Sequence, residues 1–386
     1  MRFEQQLRSF LKALDQYPGN MPLAKFLPGY FKQNKQMGSN DRRTVSRLLY
    51  SYFRLGRACD SLPPEQRLFI AEFLCSTEEN LFLKHFRPDL HEHVLEPVNN
   101  KILLLKNEGF VLESVFPFTG HLSDGIDKEA FLKSFFVQPD LFICIHPGKE
   151  EFVKEKLVDH GINYRTIAGE TLALPNGTKL HEIFPASESM PFEIQDLSSQ
   201  RTGSLFEPKE NEYWWDACAA SGGKSILLFQ LQPDVKLLVS DIRESVLANL
   251  DVRFQNAGIR TYQKKVLNLL ENPAPVLHHY QFDGIILDAP CTGSGTWGRT
   301  PEMVSQFQEH KIMEFQAMQK TIASNVIGFL KPGKPLIYIT CSVFKEENED
   351  VVSYLVNEKG LTLEKLEVLK GFNEKADTMF AARFIR

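Results

Sequence analysis

Two cysteines stand where a thiolate could do chemistry. Cys291 follows the apolar run FDGIILDAP and Cys341 follows PLIYIT, so each closes a segment that reads as a β-strand. A free cysteine is often only a small buried hydrophobe. The other reading is that a sulfur at a strand end serves as a nucleophile for covalent catalysis. A third segment, DACAASGGKS, has the composition of a ligand turn. Its small residues Cys218, Ala219, Ala220, Ser221, Gly222 and Gly223 allow close backbone approach, and Lys224 opens a helix whose first N–H groups can hold a carboxylate or phosphate. The GGKS ending imitates a triphosphate loop, but that loop needs glycine where Cys218 stands, and the GxGxxG dinucleotide pattern is missing. What remains is an adenosyl ligand without a triphosphate, its carboxylate held by Lys224 and the turn. Asp241 ends the next strand, KLLVSD, where an acid commonly takes ribose hydroxyls; the alternative is an exposed loop aspartate.

The elements that must position these residues alternate. From 203 onward strands EYWWDA, KLLVSD, FDGIILDAP and PLIYITCS interleave with helices KSILLFQLQ, ESVLANLDVRFQNAG and EFQAMQKTIASNVIGFL. That order implies an α/β, Rossmann-like, doubly wound and mostly parallel sheet with ligands at the carboxyl ends of its strands, where all three segments fall. Residues 139–202 carry shorter β-like runs (LFICIH, NYRTIAG, TLALP) around the helix EEFVKEKLVDHG, and read as a small α/β subdomain. Residues 1–138 form an all-α domain: Leu7, Phe10, Leu11 and Leu14, then Val45, Leu48, Leu49, Tyr52 and Phe53, recur at helical spacing, with Asn40 or Asp41 as the cap of the second run.

Charge is unevenly placed. Residues 1–57 hold eleven Lys and Arg against three acids, whereas the chain as a whole has net charge -5. A basic module on an acidic body suits a polyanion, with Arg42, Arg43 and Arg47 placed for phosphate; solvated helix faces are the equal alternative. No apolar run reaches membrane-spanning length and MRFEQQLRSF lacks the core of a signal peptide, so a cytoplasmic monomer without a membrane partner is expected. The six cysteines form no CxxC pair, which supports neither a disulfide framework nor a metal site.

These segments resemble the RNA 5-methylcytosine methyltransferases that use S-adenosylmethionine. DACAASGGK is similar to that family's DxCAAPGGK, LDAPCTGSGTWGRTPE to DAPCSGxGxxRRxP, and YITCSVFKEENEDVV to YSTCSxxxxENExVV, in the same order; FEIQDLSSQRTGSL resembles its QDxSSQ segment. The likeness covers about 140–386 well, and PLAKFLPGYFKQNKQMGSNDRRTVSRLLYSYFRLG resembles the NusB-like RNA-binding domain of the ribosomal RNA branch. It implies that Cys341 adds to carbon 6 of a cytosine, making carbon 5 nucleophilic toward the donor methyl. Cys291 then assists proton removal or product release, Asp288 orients the base and helps protonate the ring, and Lys224 contacts the donor carboxylate. The donor contacts implied are Cys218 to Lys224, Asp241, Arg243, Asp288 and Asn268.

The departures are specific. Ser221 replaces the proline of the turn, and Asn268 replaces an acid, keeping an acceptor but adding an amide donor. Cys144 and His146 stand for an Arg and an Asn, Gly298 and Thr300 replace the Arg and Asn after Cys291, and MFAARF only partly matches GFFxA. The resemblance implies methyl transfer to small-subunit ribosomal RNA. Transfer RNA as substrate, or a donor- and RNA-binding assembly factor without turnover, are the alternatives.

Overall fold

The computed structural model describes residues 2–185 and 190–386. The chain divides into two compact units, one of residues 1–122, 127–138 and 296–309, the other of 123–126, 139–295 and 310–386.

The first unit is helical. Helix Ser39–Arg54 buries Val45, Leu48, Leu49, Tyr52 and Phe53 as the sequence spacing requires. It begins earlier than Asn40: the cap is Gly38, whose N–H donates to Asp41 at 3.3 Å, so Asp41 serves from within the first turn. The segment 296–309 completes this unit. Glu302, fully buried, accepts from the Leu23 N–H at 2.8 Å, and Trp297 packs against Phe116 and Phe307.

The second unit holds two sheets. Strands β1 (Leu141–Ile145), β2 (Arg165–Ala168), β3 (Thr171–Leu174) and β4 (Phe192–Ile194) form an antiparallel sheet in the order β2-β3-β1-β4. The larger sheet contains β5 (Tyr213–Asp216), β6 (Lys236–Asp241), β7 (Gln263–Val266), β8 (Gly284–Asp288), β9 (Pro335–Thr340), β10 (Thr362–Lys370) and β11 (Thr378–Ile385). Its order is β10-β11-β9-β8-β5-β6-β7; β5 to β9 run parallel, and β11 is antiparallel to both neighbours. This is the expected Rossmann-like sheet, with its switch in strand order between β5 and β8.

Both faces of the larger sheet are buried, which explains why β5, β8 and β9 are apolar runs rather than alternations. Trp215, Leu238, Ile285, Leu287 and Tyr338 pack on one face with helix Lys311–Ile327, while Trp214, Val239, Ile286, Ile337 and Ile339 pack on the other with helix Gly223–Leu231. Gly284 is forced by this packing: a Cβ there would lie 2.5 Å from the Trp214 indole. Among the described residues no helix is long and apolar enough to cross a membrane.

Candidate active site

Because β5, β6, β8 and β9 are parallel, Asp216, Asp241, Asp288 and Thr340 all end on one edge of the sheet. The turn after β5 needs backbone that few residues adopt: Ala220 has φ 47° and Gly222 φ 85°. A Cβ on Gly222 would also meet the Phe254 ring at 2.5 Å. The turn is tied to β6, since Asp241 Oδ2 accepts from the Ala220 N–H at 3.1 Å. Asp241 also accepts from the Arg243 backbone N–H at 2.9 Å and from its Nε at 3.1 Å.

Lys224, buried in the first turn of its helix, donates to Asp288 Oδ2 at 3.0 Å and to Ser199 Oγ at 2.8 Å. Ser199 belongs to the QDLSSQ segment, and from the same segment Gln195 donates to the Gly223 carbonyl at 3.2 Å. Ser221 is held by Arg253, whose Nη1 donates to its carbonyl at 3.0 Å and its hydroxyl at 2.7 Å, while Nη2 donates to Glu193 at 2.8 Å. Burial pushes the Glu193 carboxyl up, but the adjacent His146 and Arg253 outweigh it and hold the group below the usual carboxylate range. Beneath the turn, Asp216 is fully buried; Oδ2 accepts from Ser225 at 2.6 Å and Oδ1 has no partner. Burial raises its pKa to about 7, and the nearby Asp288 adds to the shift. Burial likewise pushes the Cys218 thiol far up, so Cys218 is a neutral wall of the turn.

Cys291 and Cys341, fifty positions apart, meet: their sulfurs lie 3.2 Å apart, both half-buried. Gly295 makes this possible. Its N–H donates to the Cys341 carbonyl at 2.8 Å, and a Cβ would fall 1.9 Å from the Thr378 carbonyl oxygen. The Cys291 thiol is pushed well above its ordinary value by its hydrogen bond to Cys341, by burial and by the charge of Glu347.

The structure thus brings together Lys224 with Asp288, the turn with Asp241 and Arg243, and the two cysteines. Asn268, just beyond β7, instead closes its own turn, donating to Glu271 at 2.7 Å and accepting from the Leu270 N–H at 3.2 Å. In the helical unit, Arg42 donates to the Met37 carbonyl at 2.9 Å and lies over Phe31, Arg43 donates to Asn40 at 2.6 Å, and Arg47 pairs with the buried Glu72. Sequence reasoning singled out neither Ser199, Arg253 nor Glu347. The first and last lay inside segments already matched by motif, which was the available signal. Arg253 carried none.

The class that this fold and edge define is a Rossmann-like α/β domain with its ligand residues at the carboxyl ends of the strands. Residues 204–384 match the family described as 16S rRNA methyltransferase RsmB/F. Ribosomal RNA small subunit methyltransferase B of Shewanella oneidensis is 33% identical over 164 residues, 42% of this chain and 37% of that protein. The enzyme of the same name from Erwinia tasmaniensis is 35% identical over 155 residues, 40% and 36% of the two chains. The chain therefore spans little more than a third of the length of these relatives. Among solved structures, PH0851 superposes with a TM-score of 0.67 at 19% identity, covering 92% of this chain and 93% of that one. NSun6 from Pyrococcus horikoshii, solved with SFG, gives a TM-score of 0.57 at 18% identity over 64% and 90%. At these identities the likeness concerns the fold.

Proposed function

We propose that the protein transfers a methyl group from S-adenosylmethionine to carbon 5 of a cytosine in RNA, with small-subunit ribosomal RNA as the first substrate to test. The observation that carries this reading is the 3.2 Å approach of two half-buried sulfurs at the ends of adjacent strands, on the same sheet edge as the Lys224–Asp288 pair. A single structural cysteine would not need a partner; covalent addition to a pyrimidine followed by release gives two sulfurs separate tasks.

The residues present suit the donor. The turn 218–224 offers backbone at close approach and a helix N-terminus, Lys224 a cation, Asp241 a carboxylate at a strand end, and Asp216 Oδ1 a buried acceptor with no protein partner. When bound, the donor supplies an electrophilic methyl. Cys341 adds to carbon 6 of the ring, with Asp288 at the base edge held by Lys224. After transfer the carbon 5 proton leaves to a base, the carbon 5–carbon 6 double bond re-forms, and the electron pair of the carbon 6–sulfur bond returns to Cys341. Cys291 serves that release. The SFG in the NSun6 structure is an S-adenosylmethionine analogue, which supports the donor assignment, and the names of the curated relatives support ribosomal RNA.

On this reading 1–138 is an RNA-binding domain of a cytoplasmic monomer. Arg42 and Arg43 are its phosphate contacts, while Arg47, already paired with Glu72, contributes less. Replacing Arg42 and Arg43 by Gln lowers the slope of log affinity against log salt by about two, read by titration at several salt concentrations.

The deciding experiment supplies radiolabelled donor with undermethylated small-subunit ribosomal RNA or transfer RNA, then digests and identifies the labelled nucleoside. Label in 5-methylcytidine of the ribosomal RNA is expected. Label confined to transfer RNA would reassign the substrate, and measurable donor binding with no label anywhere would overturn the enzymatic reading.

A further inference from the structure

Glu347 is fully buried, yet its carboxylate receives four hydrogen bonds, three of them from residues remote in sequence. The Thr292 N–H and Gln319 Nε2, both at 2.9 Å, donate to Oε2. The hydroxyls of Thr292 at 2.5 Å and Ser342 at 2.6 Å donate to Oε1. Thr292 directly follows Cys291, and Ser342 directly follows Cys341. Gln319 also donates to the carbonyl of Pro290 at 3.0 Å, so the residue before Cys291 is fixed to the same hub. Behind it, Tyr338 donates to the Glu347 carbonyl at 2.6 Å, and Asn348 donates to the Ser342 carbonyl at 2.9 Å. One carboxylate thus joins both cysteine loops and the helix that backs them.

Two N–H donors converge on Oε2 and two hydroxyls meet Oε1, an arrangement that suits the ionised carboxylate, while burial pushes its pKa up. We propose that Glu347 is a positioning residue for the cysteine pair: its carboxylate fastens the two cysteine loops together and so holds the Cys291 sulfur beside that of Cys341. Its charge adds to the groups that disfavour the Cys291 thiolate. The titratable groups that face Cys291 are Cys341 and Glu347 from the segment after β9 and Tyr338 from β9 itself. Tyr338 is held neutral by burial, and on Cys291's own strand Asp288 is paired with Lys224. Glu347 is therefore the carboxylate whose charge acts on Cys291 without a cation bonded to it. The consequence rests on the methyl-transfer reading: a protonated Cys291 donates its S–H to the sulfur of Cys341 as that sulfur leaves carbon 6.

The test needs neither RNA nor donor, so it can fail independently of that reading. Glu347→Gln is isosteric and can satisfy every partner: the amide oxygen takes the two N–H donors, and the amide nitrogen donates to the two hydroxyls. Alkylation of Cys291 by iodoacetamide is followed by peptide mass spectrometry across pH, beside the melting temperature. In the wild type the midpoint lies above the value of about 8.5 for an ordinary thiol. In Glu347→Gln it falls by about one pH unit with the melting temperature little changed. Glu347→Asp, which keeps the charge but withdraws it, gives an intermediate midpoint. A wild-type midpoint at or below that of an ordinary thiol overturns the proposal whether or not any variant folds. So does a folded Glu347→Gln protein with an unmoved midpoint.

Discussion

The turn after β5 and the paired loops after β8 and β9 occupy the same sheet edge but are built on opposite plans. The turn is held by pairs with one member buried and the other nearer solvent: Arg243, whose side chain is 59% exposed, anchors the buried Asp241, and Asp288, 30% exposed, meets the buried Lys224. The cysteine loops are held from inside by Glu347, Asn348, Ser294 and Ser342, all buried and mutually hydrogen-bonded. The motif departures touch both regions. Ser221 and Asn268 fall in the donor region, where Arg253 and a local turn absorb them, while after Cys291 Thr292 stands for a serine and keeps its hydroxyl on Glu347, with Gly298 and Thr300 further along. A cradle in which backbone, buried charges and charges nearer solvent share the contacts tolerates substitution because each contact is one of several. A pair of sulfurs that must meet within a few tenths of an ångström has no such redundancy.

The largest test of that contrast is Cys341→Ala. Methyl transfer falls by at least about a thousandfold, while donor affinity by calorimetry stays within about twofold because the cradle is separate; residual turnover near the wild-type rate would remove Cys341 from the nucleophile's role. Next comes Lys224→Met, which leaves Asp288 without its cation. Removing one partner of a mostly buried pair costs up to about 3 kcal/mol of folding stability, so the melting temperature drops, and donor affinity weakens because the cation for its carboxylate is gone; an unchanged donor affinity in the folded variant would take Lys224 out of the donor site. A smaller effect separates the floor of the cradle from its rim. Asp216 has its pKa raised to about 7 in the folded protein. Its contribution to stability is fully present below the unfolded value of about 4 and is lost as pH rises to about 7. Asp216→Asn therefore flattens the fall in melting temperature across that window, and an unchanged pH profile would show that Asp216 ionises normally. The smallest change is Asn268→Asp, which raises donor affinity by about threefold if the rim tolerates exchange as the contrast requires; a gain of tenfold or more would make Asn268 a critical contact rather than a tolerated one.

Much of this was legible in the sequence. Strands β5, β6, β8 and β9 are apolar runs closed by Asp or Cys, and a run buried on both faces leaves little choice of element. Other strands were less legible for physical reasons. QKKV of β7 lies at the sheet edge with three polar residues, and TLEKLEVLK of β10 is the opposite edge, largely exposed, so neither carries a hydrophobic signal. Three-residue β4 is too short for periodicity. The helix cap was misplaced because Gly38 contributes only backbone, leaving Asp41 as the visible capping residue. At the site, the cysteines and the turn announced themselves by type and spacing. Glu347 did not, since its meaning lies in Thr292 and Gln319, residues that only the fold brings to it.

The helical unit is not contiguous in the chain, since residues 296–309 belong to it although they are encoded between β8 and β9. During synthesis its N-terminal helices emerge first but must wait for a piece made more than 150 residues later before Leu23 finds Glu302. The first part of the protein to be made is therefore among the last to be finished. A cut between 138 and 139 would not release a self-sufficient fragment, since the helical unit also needs residues 296–309.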